Sequence, residues 1–189
     1  MIVTDQSKLR VMCCSTTIKQ CAEIGIFEMM ENELKKHKGV SGIGLAAPQI
    51  GYYLRCCVMR IPAHKDRAGV EHAEVKLNMI DPIIEKAGNP GRVQGERCLS
   101  LPGITTDTLR FGECTVSWLD YDAKEFRRAS FYGLEAFCVQ HEIDHLNGIL
   151  MLDRAPAKAV KTGRNEPCPL CAAKGIHIKY KKCEAHYQA

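Results

Sequence analysis

No run of 18 or more consecutive apolar residues occurs in the 189 residues of the chain, which excludes a helix able to cross a bilayer. The first ten residues carry Asp5, Lys8 and Arg10, without the apolar stretch and small-residue cleavage site of a secretory leader. The cytoplasm is therefore the expected compartment, with no membrane insertion. No internal repeat is visible. Nor is the composition that of a disordered or fibrous chain, since 46% hydrophobic and 25% charged residues is ordinary globular usage.

Cysteine, by contrast, is plentiful. The count of 11 is odd, so a complete disulfide framework would leave one thiol over, and metal ligation or burial is the better expectation. Cys13, Cys14, Cys21, Cys56 and Cys57 have no ligand-like spacing to a nearby histidine and read as small core or surface residues. Cys98, Cys168, Cys171 and Cys183 stand apart. Charge is also uneven. Residues 1–153 carry 18 Lys and Arg against 20 Asp and Glu, whereas residues 154–189 carry 8 against 2. A short basic tail on a nearly neutral body points to a polyanion as partner.

Apolar positions Ile24, Phe27, Met30 and Leu34 predict an amphipathic helix over 20–37, ended by Gly39. The glycine- and alanine-rich stretch 42–51, with Pro48 inside it, predicts a tight loop or edge segment. Strands are expected over 54–61, 75–84 and 114–121, with a hairpin return over 126–130. From 131 to 146 the period changes: Leu134, Phe137, Cys138, His141 and His145 share one face of a helix that Gly148 can end. Strands gathered around one such helix make an α+β fold. The expected layout is a catalytic domain over 1–154, a linker over 155–163 and a small tail over 164–189.

The strongest local signal is His141-Glu142-Ile143-Asp144-His145. Four residues apart on a helix, His141 and His145 can reach one divalent ion, while Glu142 can take a proton from water beside it. A catalytic site of this type needs a third protein ligand. The acidic residues that follow, Asp153, Glu166 and Glu184, are poorly placed for that role, and a thiolate is the natural substitute. Cys98 stands out among the body cysteines because its segment, 95–103, is polar and carries turn residues on both sides.

Three segments, Gly42-Ile43-Gly44-Leu45-Ala46-Ala47-Pro48-Gln49, Glu96-Arg97-Cys98-Leu99-Ser100 and His141 through Gly148, together resemble the signature motifs of the peptide deformylase family, in the family's order. The resemblance covers roughly residues 1 to 153 and implies that family's fold, with mixed or antiparallel strands around the central histidine-bearing helix. The implied activity is removal of the formyl group from nascent N-formylmethionyl peptides, with release of formate. It further implies Fe(II) held by Cys98, His141 and His145, a ligand set that also suits Zn or Ni. Glu142 would be the base, and Gln49 with the Leu99 N–H would stabilise the developing oxyanion. Ile43, Gly44, Leu99, Leu134, Phe137 and Cys138 would contact substrate, and Glu96 would be paired with Arg110. Asp144 could hydrogen-bond locally or orient Arg154. Arg97 departs from the family's usual glycine; extended backbone there costs little, whereas a positive φ would strain it.

In the tail, Cys168-Pro169-Leu170-Cys171 and Cys183-Glu184-Ala185-His186 supply two ligand pairs for a closed zinc site. The flanks resemble the SEC-C zinc motif, although its C-x-C pair is C-x-x-C here. Lys174, Lys179, Lys181 and Lys182 give the tail a basic face suited to ribosomal RNA. The rival readings are a zinc endopeptidase and a non-catalytic ribosome- or nucleic-acid-binding protein. Neither accounts for the joint presence of Gln49, Glu96, Cys98 and Leu99.

Overall fold

The computed structural model describes residues 1–37, 42–66 and 69–156. Gly39, the expected linker over 155–163 beyond residue 156, and the tail ligands Cys168, Cys171, Cys183 and His186 lie outside the described residues.

Three short helices come first: α1 (Gln6–Leu9), α2 (Ile18–Ile24) and α3 (Ile26–Lys36). The single helix predicted over 20–37 is thus two. Gly25 sits at φ 68°, and its N–H reaches the carbonyls of Cys21 and Ala22, closing α2 before α3 starts. The break leaves Ile24 39% exposed, while Phe27, Met30 and Leu34 are buried as their spacing predicts.

A five-stranded antiparallel sheet follows, with spatial order β1-β2-β5-β6-β7. Its strands are β1 (Gly44–Ala46), β2 (Cys56–Ile61), β5 (Val75–Glu96), β6 (Thr106–Asp120) and β7 (Phe126–Tyr132); β3 (His64–Lys65) and β4 (Glu71–His72) form a separate small hairpin. The stretch expected to be a loop or edge segment is the edge strand β1 plus a 3-10 turn, Ala47–Ile50. Strands β5 and β6 extend well beyond the apolar stretches that predicted them.

Alternation along the strands builds two cores. Cys57, Met59 and Ile61 of β2 pack with Met79, Val116 and Trp118 against Val139, Ile143 and Leu146 of the long helix α4 (Gly133–Leu146). Cys56 and Val58 face the other way, packing with Leu45 and Ile80 against Phe27, Met30 and Leu34 of α3. Burial on both faces explains why β2 reads as a continuous apolar run. Of the cysteines assigned to core or surface, Cys13, Cys21, Cys56 and Cys57 are buried and Cys14 is exposed.

Helix α4 starts two residues later than the predicted 131. Phe131 and Tyr132 still belong to β7, where the Phe131 ring packs against Trp118 at 5.9 Å, and Gly133 at φ 52° turns the chain into the helix. Gln140 ties α4 to β6, accepting from the Phe111 N–H at 3.0 Å and donating to its carbonyl at 2.7 Å. The inner face of the helix is thereby held against the sheet.

Candidate metal centre

The loop after β5 and the helix α4 meet at Cys98, His141 and His145, whose ligand atoms all lie within 4.8 Å of one another. Cys98 Sγ is 3.2 Å from His145 Nε2. Metal–ligand bonds of about 2.0–2.3 Å in a tetrahedron put neighbouring donors about 3.3–3.8 Å apart, so a small contraction would close the triad on an ion. The nitrogen–nitrogen–sulfur set suits iron, zinc or nickel.

A buried ionic chain backs this triad. Glu96 Oε1 lies 2.6 Å from His141 Nδ1, which leaves Nε2 of that ring for a metal. Arg110 donates to both oxygens of Glu96, at 2.6 and 2.7 Å, and to Asp144 at 2.9 Å. Asp144 also accepts from Arg154, at 2.7 and 3.1 Å, so of the two roles open to it in the sequence, the structure shows the contact with Arg154. Thr108, fully buried on β6, donates its hydroxyl to Glu96.

Burial pushes the Glu96 carboxyl up, but hydrogen bonds from Arg110 and His141 outweigh it and hold the group far below the usual carboxylate range. Burial likewise opposes a charge on His141, yet hydrogen bonding to Cys98 and Glu96 lifts the imidazole to about 10. The site thus favours positive charge between Cys98 and Glu96, and a divalent ion can supply it with the imidazole neutral. His145 is pushed well below its ordinary value by burial and by the neighbouring His141.

Glu142 is buried, and desolvation raises its carboxyl to about 7. Among the described residues its Oε2 has no hydrogen-bond partner, as expected of a group that meets water or substrate, and neither has Nδ1 of His145, the ring nitrogen other than the one beside Cys98. A Cβ on Gly44 would run into Glu142 Oε1 and come within 2.9 Å of Cys138 Sγ, so glycine is needed there for the close approach of β1 to α4. Gln49 is oriented from both ends of its amide. Its Oε1 accepts from the Ala46 N–H at 2.9 Å, which turns Nε2 toward Ser100 Oγ at 3.2 Å and Cys98 Sγ at 3.5 Å.

A cleft of about 300 Å³ opens over these groups. It is lined by all the residues singled out for substrate, Ile43, Gly44, Leu99, Leu134, Phe137 and Cys138, together with Gln49, Glu96, Cys98, His141 and Glu142. Arg97 lines it too, and its φ is not positive, so the strained alternative does not arise. Val93 and Gln94 on the cleft wall, and Thr108 bonded to Glu96, escaped the sequence reading, and Ser100 stood in the Cys98 segment without a role. Thr108 was accessible in principle, since it lies two residues before Arg110 on one strand and must share its face.

The sequence pattern of the polypeptide deformylase family matches residues 3–161. A peptide deformylase of Chloroflexus aurantiacus is 35% identical over 132 residues, covering 67% of this chain and 70% of the relative. One from Thermomicrobium roseum is 44% identical over 118 residues, covering 62% and 64%. Among solved structures, a peptide deformylase from Legionella pneumophila superposes with a TM-score of 0.66 at 30% identity, covering 83% of this chain and 86% of that one. The corresponding values for one from Ehrlichia chaffeensis are 0.68, 30%, 82% and 87%. With the cysteine–histidine triad in place, the chain belongs to the peptide deformylase family, metal-dependent enzymes that remove the N-formyl group from nascent peptides.

Proposed function

We propose that deformylation by this chain is carried by Cys98, His141 and His145 as ligands of Fe(II), with Glu142 as the proton-transfer group and Gln49 and the Leu99 N–H as oxyanion donors. The observation that supports this most is the meeting of one thiol and two imidazoles within 4.8 Å, with Cys98 and His141 lining the cleft. An ion bound there supplies Lewis acidity toward a carbonyl oxygen and lowers the pKa of water. Glu142, one residue round the helix from His141 and pressed against Gly44, takes the proton of the attacking water and returns it to the departing amine. Gln49, its carbonyl end held by Ala46, keeps its N–H donors turned into the site where negative charge develops on the formyl oxygen. Glu96 holds the His141 ring, and Arg110 holds Glu96.

Ile43, Leu99, Leu134, Phe137 and Cys138 form an apolar slot for the methionine side chain. Strand β1 is a sheet edge, so the peptide backbone can lie alongside Gly44 as an added strand. A structural zinc bound by Cys168, Cys171, Cys183 and His186, and a cytoplasmic ribosome contact through the basic tail, complete the proposal. They rest on ligand spacing and on the 8 Lys and Arg against 2 Asp and Glu after residue 153.

One set of preparations tests these assignments: intact protein, Cys98→Ser, and a form truncated after Gly163, each assayed anaerobically for formate release from formyl-Met-Ala-Ser and for iron and zinc per chain. Intact protein should release formate. Cys98→Ser should lose the catalytic ion and turnover, because a hydroxyl is a far poorer ligand than a thiolate. Truncation should remove one zinc, preserve turnover and weaken co-sedimentation with ribosomes. Full activity in Cys98→Ser would place the third ligand elsewhere, and unchanged zinc or sedimentation after truncation would discard the corresponding role of the tail.

A further inference from the structure

Arg97 lies between Glu96 and Cys98, lines the cleft and has an exposed side chain. Among the described residues it has no hydrogen bond or ion pair. The carboxylates closest to it along the hairpin are already engaged. Glu96 receives Arg110 at 2.6 and 2.7 Å and lies against His141. Asp107, across the ribbon, accepts from Arg92 at 2.6 Å and from the Gly95 N–H at 2.9 Å.

The backbone explains how neighbours of opposite charge come to face different surroundings. The β5–β6 register slips between Val93 and Glu96, and Gly95 within the slip sits at φ 68°. Such a bulge re-aims the side chains that follow it. Glu96 turns inward to Arg110, and Arg97, the next residue, is left exposed at the cleft. The other charged groups lining the cleft, Glu96, His141 and Glu142, are at most slightly exposed. The accessible part of the cleft wall therefore carries a positive charge with no counter-charge among the described residues.

Consecutive Cα atoms are about 3.8 Å apart, so the Arg97 backbone stands one residue step from the ligand Cys98. A peptide whose formyl group reacts beside Cys98 and whose chain runs extended advances about 3.3 Å per residue. Its residues just after methionine fall within the span of an arginine side chain. Guanidinium and carboxylate pair through two parallel charge-assisted hydrogen bonds, a match that neutral or basic side chains cannot make.

We infer that Arg97 is a specificity-determining residue, selecting formylated peptides that carry a carboxylate one or two residues after the formylmethionine. The inference rests on the deformylase reading above and adds to it the class of peptide that this cleft prefers.

The test compares kcat/KM of the intact, metal-loaded enzyme on C-terminally amidated formyl-Met-Xaa-Ala and formyl-Met-Ala-Xaa, with Xaa as Asp, Ala or Lys. Free-acid versions form a parallel arm, which separates a side-chain carboxylate from the terminal one. The wild type should favour Asp over Lys by about three- to tenfold at low salt, and the ratio should shrink toward one at high salt. Arg97→Gln should abolish the preference, Arg97→Glu should invert it and Arg97→Lys should retain part of it. A preference seen only with free-acid peptides would overturn side-chain selection. Formate release with Asp-to-Lys ratios equal in the wild type, Arg97→Gln and Arg97→Glu would overturn the inference while leaving the deformylase reading intact. Absence of formate from every peptide would overturn both.

Discussion

The two halves of strand β6 present the same face inward but bury opposite chemistry. From Cys114 to Asp120 alternate positions fill the core with Cys114, Val116 and Trp118, all under 5% exposed. From Thr106 to Glu113 the alternation continues, yet the buried residues are Thr108 and Arg110. The partner strand divides likewise: Met79 and Ile80 are fully buried, whereas most side chains from Glu85 to Gly95 are exposed. One ribbon is thus anchored at one end by apolar packing and at the other by the Glu96–Arg110–Asp144 ion network. The apolar end supplies stability, and the ionic end fixes the orientation of His141 in the candidate metal triad. A buried ion pair adds little net stability because desolvation offsets most of its attraction, but removing one partner is costly.

Substitutions at the two ends should separate these contributions. The largest effect is expected from Glu96→Ala, which takes the main counter-charge from buried Arg110 and frees the His141 ring. Unfolding in denaturant should show a loss of about 3–5 kcal/mol. Equilibrium titration of the catalytic metal should show affinity falling about 10- to 100-fold. Met79→Ala, in the apolar half, should cost about 2–5 kcal/mol in the same unfolding experiment. The folded fraction should keep its metal affinity, and a parallel loss of affinity there would erase the proposed division. Arg92→Ala removes only an exposed ion pair with Asp107, and stability should change by about 1 kcal/mol or less, within reach of careful denaturant midpoints.

The same division governs what could be read from the amino acids. The apolar half announced itself as strands over 75–84 and 114–121, because alternating buried hydrophobes carry the period-2 signal. The continuation through Asn89, Pro90, Gly91 and Gly95 carries turn-formers in place of that signal. It is a strand only because β6 pairs with it across two register slips, at Ile84/Lys86 and Val93/Glu96. Helix α4 and its histidines were legible from spacing, and Cys98 from its turn-rich setting. Gly25 shows the opposite failure: a helical spacing of apolar residues ran straight across a left-handed glycine that splits the helix. Ser100 and Gln140 are polar, buried and matched to partners distant in sequence, which no local pattern reports. The direct contact of Gly44 with Glu142 is likewise visible only once β1 and α4 have been brought together.

The measurement that bears most directly on the proposed chemistry is formate release from formyl-Met-Ala-Ser by Glu142→Gln, prepared and assayed anaerobically beside the unaltered protein with the catalytic metal counted in both. Glutamine keeps the size and hydrogen-bonding capacity of the side chain but cannot accept the proton. Turnover should fall by at least about two orders of magnitude while metal per chain stays the same. Equal turnover in the two proteins at equal metal content would contradict the assignment of Glu142 as the proton-transfer group.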